Sequence, residues 1–445
     1  MATDGAVYPR PVPTLPTLVR VLAAVIAAAL LTTSCVGEPF GGSAGGAGSD
    51  GSVPDRAASE SATPSDDPLP WGPTEAELAQ AQEIVRSMSA AELAGQVIVG
   101  RWHGSDPATA AGMVEDHHLA GVQLTGDNIV DRAQVSATTA AVAEAFERTG
   151  RSFPPVLGVD QEGGVVSHLR GITAEFPSFA TAGTAVAQKG NEGRRTVRAA
   201  MRAMAFELRE LGFTWVFAPV ADVTIGDADV TIGSRSASSD PEVAAGAVSA
   251  AVKGYVDAGL VSTTKHFPGH GAATQDSHET LPEIDVSRQE LAARELPPFR
   301  AAVRAGAPAV MMGHLDVSSV APGVPTSLAP EAYDLLRNEL GFEGVAITDS
   351  LGMGAVLSPG QRPAVDALAA GADLLLMPAD TPHTHGVVTK AIRRGELSRE
   401  RVEEAAARVV AVQLWQQRMS ADRPAPSDSS ERAAAAAQEL VAAGS

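Results

Sequence analysis

The sequence predicts an α/β fold, a (β/α)8 TIM-type barrel in a single domain, and three observations lead there. Eight short apolar runs recur between residues 71 and 420. Each is followed by a longer segment with helical spacing, the pattern of βα units around a parallel sheet. The polar residues that stand out sit where the apolar runs end, and a barrel carries its working groups at the C-terminal ends of its strands. An open doubly wound sheet is the competing architecture for the same alternation.

In chain order the strand runs are 96–100, 121–125, 155–160, 215–220, 262–267, 309–315, 344–349 and 372–378. Helical spacing rich in Ala, Leu, Arg and Glu fills 130–148, 194–211, 241–258, 288–305 and 331–340, and 400–417 closes the domain. At 445 residues the chain is long enough for such a barrel with extensions at both ends.

The extensions read differently. Residues 1–35 carry Arg10 and Arg20, an apolar run from Val21 to Leu31, then Thr32, Thr33, Ser34 and Cys35. Eleven apolar residues at ~1.5 Å rise cover about half of a ~30 Å hydrocarbon core, so an export signal fits better than a permanent span. Cys35 is the single cysteine and cannot form an internal disulfide. Its place behind small residues resembles a bacterial lipobox, with Thr32 where Leu is preferred; a chance thiol is the plain alternative. Residues 36–70 are Gly, Ser, Ala, Asp and Pro with few large apolar groups, a flexible tether. Residues 421–445 form a polar, then Ala-rich tail whose 431–440 stretch has helical composition.

Composition narrows the partner. With 33 Lys+Arg against 53 Asp+Glu the formal charge is −20, which disfavours nucleic acid and anionic lipid surfaces. The 18 aromatic residues (11 Phe, 4 Trp, 3 Tyr) are too few for a long groove that stacks sugar after sugar. A polar pocket for one small, neutral ligand remains.

Asp160 ends the third run in Val159-Asp160-Gln161-Glu162-Gly163-Gly164, where two glycines would allow backbone and ligand to approach closely. Lys265-His266-Phe267-Pro268-Gly269-His270-Gly271 ends the fifth and is followed by Asp276-Ser277-His278; Ile347-Thr348-Asp349-Ser350 ends the seventh. Lys265 is one of only four lysines in the chain, so an arginine-biased composition has not replaced it. Taken singly, each residue has a plainer reading. Asp349 and Asp160 could cap the turns that follow them, Lys265 and His266 could form an internal ion pair and a core contact, Arg235 a surface salt bridge, and His278 could be a solvated loop residue. A zinc site at His266, His270 and His278 is disfavoured, because Pro268-Gly269 breaks any helix that would align the first two and no compact ligand cluster completes the set.

Taken together, the segments resemble glycoside hydrolase family three, in its single-domain β-N-acetylglucosaminidase branch, from Met88 to about Val412. The most specific string runs from Lys265 to Gly271 and on through Asp276-Ser277-His278 to Leu281-Pro282; Phe217–Val223 and Ile232–Ser236 match in the expected order. The resemblance implies that Asp349 is the nucleophile of a retaining hydrolysis and that His278, oriented by Asp276, is the acid/base. It also implies that Asp160, Arg235, Lys265 and His266 bind the terminal sugar. An imidazole with an unperturbed pKa near ~6.5 suits giving and then taking a proton near neutrality. Two departures stand out: Ser350 occupies a position usually acidic, and Val165 and His168 stand where the branch usually has arginines, with Arg170 two residues on.

The expected protein is therefore an exported, lipid-anchored exo-β-N-acetylglucosaminidase that trims peptidoglycan fragments as a monomer. It needs no cofactor or metal and meets the membrane only through Cys35. A phosphorylase of the same fold, or a non-catalytic sugar-binding lipoprotein, are the rival expectations.

Overall fold

The computed structural model describes residues 64–229, 231–357 and 362–445. The signal and lipobox assignments, including Cys35, and most of the 36–70 tether lie outside the described residues.

Eight parallel strands close into a barrel, which settles the choice against an open sheet. They are β1 (Ile98–Gly100), β2 (Gly121–Leu124), β3 (Val156–Val159), β4 (Trp215–Val216), β5 (Val261–Phe267), β6 (Ala309–Met312), β7 (Val345–Ser350) and β8 (Leu374–Leu376). Around the barrel the order is β1-β8-β7-β6-β5-β4-β3-β2. Every predicted run contains one of these strands or overlaps nearly all of it, but most strands are shorter than the runs. The clearest case is 215–220, where pairing as a strand stops at Val216 and Pro219 lacks the N–H a ladder needs. Strands packed between barrel interior and outer helices are buried on both faces, hence near-continuous apolar runs rather than alternation.

Helix starts follow local chemistry. The Asp131 side chain accepts from Gln134 N at the head of Arg132–Arg148, and Asp240 accepts from Glu242 N and Val243 N ahead of Pro241–Asp257, with Pro241 in the first turn. The helices predicted as continuous over 288–305 and 331–340 are interrupted by wider five-residue turns at Leu291–Glu295 and Leu335–Glu339. The helix predicted to close the domain at 417 extends over Arg399–Asp422. In the stretch read as a tail, Ser429–Ala443 is a helix that buries Ala433, Ala437, Leu440 and Ala443 and packs against Asn191–Glu210.

Two register shifts fall at residues singled out from the sequence. Between β5 and β6 the pairing slips between Thr264 and Phe267, where Lys265 and His266 lie. Between β7 and β8 it slips between Ile347 and Ser350, where Asp349 lies. Irregularities of this kind re-aim side chains at barrel rims.

The opposite, N-terminal end of the barrel is closed by one buried charge cluster. Asp373, immediately before β8, is fully buried. Its Oδ2 accepts from Arg337 Nη2 (2.6 Å) and Ala346 N (3.0 Å), and its Oδ1 from Arg401 Nη2 (2.9 Å) and Arg408 Nη1 (3.3 Å). Burial alone would raise the pKa of this carboxyl, but the three guanidinium groups and the Ala346 amide outweigh it and hold it below its ordinary value. Replacing Asp373 with Ala leaves three guanidinium groups facing one another, and we expect unfolding free energy in urea to fall by roughly 3–5 kcal/mol. A loss under about 1 kcal/mol would show that the cluster does not carry the barrel floor.

Candidate functional site

A cavity of about 440 Å3 opens at the C-terminal end of the barrel and collects residues from most of its strands. That volume falls in the range of roughly 300–1,000 Å3 usual for small-ligand sites. All seven residues singled out from the sequence other than Cys35 are found at this end. Asp160, Arg235, Lys265, His266, His278 and Asp349 line the cavity, and Asp276 is hydrogen-bonded to His278 beside it.

The charges on the β3 and β5 side form one network. Lys265 Nζ lies 2.6 Å from Asp160 Oδ1 and 2.7 Å from Glu162 Oε1, and Arg235 donates to both oxygens of Glu162, at 2.9 and 2.8 Å. Gln123, on β2, donates to the other oxygen of Asp160. Burial would raise the pKa of Glu162, but Lys265 and Arg235 reverse this and hold it at about 2. Burial would likewise lower Lys265, and Asp160 and Glu162 reverse it, so the ammonium persists. Lys265 and Arg235 thus do form internal ion pairs, and both still border the cavity.

A second pair sits behind the first. The His266 ring Nδ1 lies 2.8 Å from Asp222 Oδ2, and Asp222 Oδ1 accepts from the backbone N–H groups of His266 (3.1 Å) and His270 (2.7 Å). This fixes the ring and turns its Nε2 edge away from Asp222. Asp222 is fully buried; the cost of burying its charge is outweighed by His266 and His270, and its pKa stays low.

Asp349 is half-buried at the end of β7, with Oδ1 accepting from Ser350 N at 2.7 Å. Burial pushes its pKa up, but His266, His314, the Ser350 amide and Lys265 together pull it below the ordinary carboxylate value. It is therefore a carboxylate at neutral pH. Beneath it, the buried His314 ring is fixed by Ser327 Oγ (2.6 Å) on one side and Ser350 O (2.9 Å) on the other; burial keeps its pKa below the usual histidine value.

The loop after β5 carries the third group. His278 is well exposed, and its Nδ1 lies 2.8 Å from Asp276 Oδ1, which also accepts from His278 N at 2.9 Å. The His278 amide is the main cause of the lowered Asp276 pKa. With Nδ1 so occupied, Nε2 is free to meet a ligand. Between these two exposed residues Ser277 is buried, its Oγ 3.1 Å from Nε2 of His270. The loop is also tied to the turn after β7: Gly354 N donates to His278 O at 3.1 Å, and a Cβ on Gly354 would stand 2.6 Å from Glu279 O. His278 and Asp349 therefore face one cavity from two segments that touch.

One reading from sequence changes here, and one is narrowed. The glycines after Glu162 adopt φ of +93° and +59°, and a Cβ would meet Pro177 O at 2.4 Å or Ser178 Cα at 2.8 Å. They are needed for chain against chain, not for ligand approach. Of the two residues that could stand for the missing arginines, His168 lines the cavity, whereas Arg170 is turned to Gly164 O and Glu175. Sequence reasoning gives no role to Gln123, Glu162, Asp222, His314 or Arg101. Glu162 follows Asp160 by two, the spacing that puts side chains on one side of an extended chain, and Asp222 and His314 both lie at or just beyond strand runs, so the strand-end rule could have found them.

One buried carboxyl lies just outside the cavity. Glu295, in the Leu291–Glu295 turn, sits under Gly269, whose added Cβ would stand 2.5 Å from Glu295 Oε2. Arg294 Nη2 lies 2.8 Å from its Oε1 as an ion pair, but neither carboxyl oxygen accepts a well-aligned hydrogen bond among the described residues. Burial raises its pKa from 4.5 to about 7, with Arg294 opposing and Asp222 adding to the rise. An acid whose folded pKa is raised destabilises the fold progressively as pH climbs from the unfolded to the folded pKa. We therefore expect Glu295→Gln to be close to wild type in stability near pH 4.5 and to gain on it up to about pH 7, by at most roughly 3 kcal/mol. Chemical denaturation across that range measures it, and a pH-independent difference would refute it.

Comparison with known proteins comes to the same place. The description "Glycosyl hydrolase family 3 N terminal domain" matches residues 84–412. Over 262 residues the chain is 39% identical to a beta-hexosaminidase of Stenotrophomonas maltophilia, covering 58% of this chain and 76% of that one. Among solved structures, a family 3 β-N-acetylglucosaminidase from Paenibacillus sp. superposes with a TM-score of 0.72 at 29% identity, covering 80% of this chain and 68% of that one. LpqI of M. tuberculosis does so with 0.67 at 31% identity, covering 75% and 96%. A fungal multi-domain family 3 β-N-acetylglucosaminidase gives 0.71 at 30% identity over 79% of this chain, which spans only 42% of that longer protein. On the breadth of the family match and the closed barrel beneath it, the chain belongs to glycosyl hydrolase family 3.

Proposed function

We propose that the protein is a retaining exo-β-N-acetylglucosaminidase that removes terminal β-linked GlcNAc from peptidoglycan fragments and is exported and lipid-anchored through Cys35. The observation that carries the catalytic reading is that an ionised carboxylate, Asp349, and an imidazole with its Nδ1 bound to Asp276, His278, border a single sugar-sized cavity. The names of the hexosaminidase relatives support the choice of GlcNAc. Export and anchoring rest on the sequence of residues 1–35, and the peptidoglycan source on that location.

In this mechanism Asp349 attacks the anomeric carbon while His278 Nε2–H protonates the departing glycosidic oxygen. Water then enters, gives its proton to Nε2 and displaces Asp349, so two inversions return the original configuration. Asp276 keeps the ring in the tautomer whose Nδ1–H it accepts, leaving Nε2 to exchange the proton. Lys265, Asp160, Arg235 and the Nε2 edge of His266 hold the sugar's hydroxyls, and their prior pairing means they need little reorganisation to do so. No step calls for a cofactor. The Ser277 grip on His270 anchors the middle of a loop whose two working residues are solvent-facing, so Ser277 acts as a positioning residue.

A 5-fluoro N-acetylglucosaminyl fluoride, which keeps the 2-acetamido group, slows both steps through its ring fluorine and offsets the first with a good leaving group, should leave a sugar adduct on the peptide containing residues 347–353, read by mass spectrometry. Asp349→Asn should abolish the adduct, and His278→Ala should cut kcat by about 10²–10⁴. Inversion of configuration in the product, or an adduct elsewhere, would sink the mechanism. Ser277→Ala, which removes one hydrogen bond, should lower kcat about fivefold with KM and the thermal midpoint little altered; an unchanged kcat would remove the positioning role.

A further inference from the structure

His314 lies just beyond β6 and is fully buried, and no step of the reaction written above uses it. The ladder between β6 and β7 runs from Ala309 opposite Val345 to Met312 opposite Thr348 and stops there. From Gly313 the chain turns the other way, its N–H donating to Phe267 O of β5 at 2.8 Å. The end of β7, which carries Asp349, is thus left without a backbone partner on β6. The His314 side chain fills that gap, with Nε2 lying 2.9 Å from Ser350 O. On the opposite side, Leu351 N donates to Leu376 O of β8 at 2.9 Å. The peptide that joins Ser350 to Leu351 is therefore held at its oxygen by the imidazole and at its nitrogen by β8. The peptide before it presents Ser350 N to Asp349 Oδ1 at 2.7 Å.

The partners of the ring also fix its proton. A carbonyl oxygen only accepts, so Nε2 must carry the hydrogen. Burial disfavours the imidazolium and lowers the pKa, which leaves Nδ1 bare to accept from Ser327 Oγ–H at 2.6 Å. Ser327 is itself anchored, because Tyr333 OH donates to its carbonyl at 2.8 Å, and its neighbour Thr326 donates through Oγ1 to Gly313 O at 2.8 Å. A line of hydrogen bonds thus runs from Ser327 through one tautomer of the ring to the peptide that follows the nucleophile. A histidine that only filled space would need neither the donor nor the tautomer. We infer that His314 is a positioning residue for Asp349: its Nε2–H replaces the missing rung between β6 and β7 and, through Ser350, holds the carboxylate at the angle of attack on the anomeric carbon. The inference rests on the hydrolase reading and deepens it, since His314 acts through Ser350 and not through the sugar.

A group that aims the nucleophile matters equally for every leaving group, whereas an acid/base matters more the more the leaving oxygen needs a proton. The test measures kcat/KM, which reports the first, bond-breaking step, for the 2,4-dinitrophenyl and 4-methoxyphenyl β-N-acetylglucosaminides. His314→Asn and His314→Gln separate the two ring nitrogens, because the Asn amide nitrogen stands as many bonds from Cβ as Nδ1 does, and the Gln amide nitrogen as many as Nε2. His314→Asn should lower kcat/KM about tenfold, by the same factor for both glycosides and through kcat with KM little altered, and His314→Gln should recover most of the loss. His278→Ala should instead lose far more on the methoxyphenyl than on the dinitrophenyl glycoside. Thermal midpoints show whether folding accounts for a difference between the Asn and Gln variants. If neither folds, Ser327→Ala, which keeps the ring and removes the hydrogen that Nδ1 accepts, should show a loss of about threefold, again equal for both glycosides. A loss that grows with the leaving group's need for a proton, a Gln variant no better than Asn, or unchanged kcat/KM in the variants that fold overturns the proposal. A wild type that cleaves neither glycoside, or an Asp349→Asn variant that cleaves both as fast as wild type, sinks the hydrolase reading and this inference with it. Loss of activity in Asp349→Asn with none in the His314 variants sinks this inference alone.

Discussion

Lys265 Nζ is held between Asp160 and Glu162 at a place where the residue is only 3% exposed, with Arg235 completing a set of two cations and two anions. An ammonium so buried would otherwise lose its proton, and the Glu162 carboxylate alone would take one up. Lys265 and Glu162 keep their charges because their partners are present, and removing one member would leave the rest facing an uncompensated charge. That mutual dependence positions Asp160 and Lys265 at the cavity edge. It also ties the rim of β3 to the rim of β5 at a place where irregular loops would otherwise be expected to move.

The two ends of the barrel put the same electrostatics to different uses. At the floor, both oxygens of Asp373 are engaged by three arginines and an amide, so the arrangement serves cohesion. At the mouth the pairs leave one side open: His266 has one ring nitrogen engaged by Asp222 and one turned away, and His278 is held by Asp276 in the same manner. In both, a carboxylate settles which nitrogen is presented. The mouth thus offers charged groups that are already oriented, which is what a polar pocket needs to bind a hydroxylated ligand against competing water.

Much of this was legible in the sequence because barrels write their strands as short apolar runs and their chemistry at the run ends. Each of the eight strands falls inside a predicted run or overruns it by one residue, and the Lys265–Gly271 and Asp276–His278 strings mark the loop that the structure brings to Asp349. What stayed hidden was mostly pairing across strands. Nothing in the local sequence says that Glu162 faces Lys265 more than 100 residues away, or that Arg235 shares the same carboxylate. Helix continuity was also overestimated, since a five-residue turn at Leu291–Glu295 preserves nearly the same apolar spacing as a regular helix. The Ser429–Ala443 helix was visible only as composition, because alanine buries too little surface to give a strong periodic pattern.

The slip in pairing between β7 and β8 has an evolutionary corollary. Side chains on a strand alternate in direction, so adding or deleting a single residue between Ile347 and Ser350 would rotate Asp349 out of the mouth and into the packed wall beside β8. Point replacements along this strand exchange one side chain for another, but a change in its length exchanges inside for outside. Diversification of such a barrel is therefore channelled into the connecting loops, while the strand carrying the carboxylate is frozen in its count of residues.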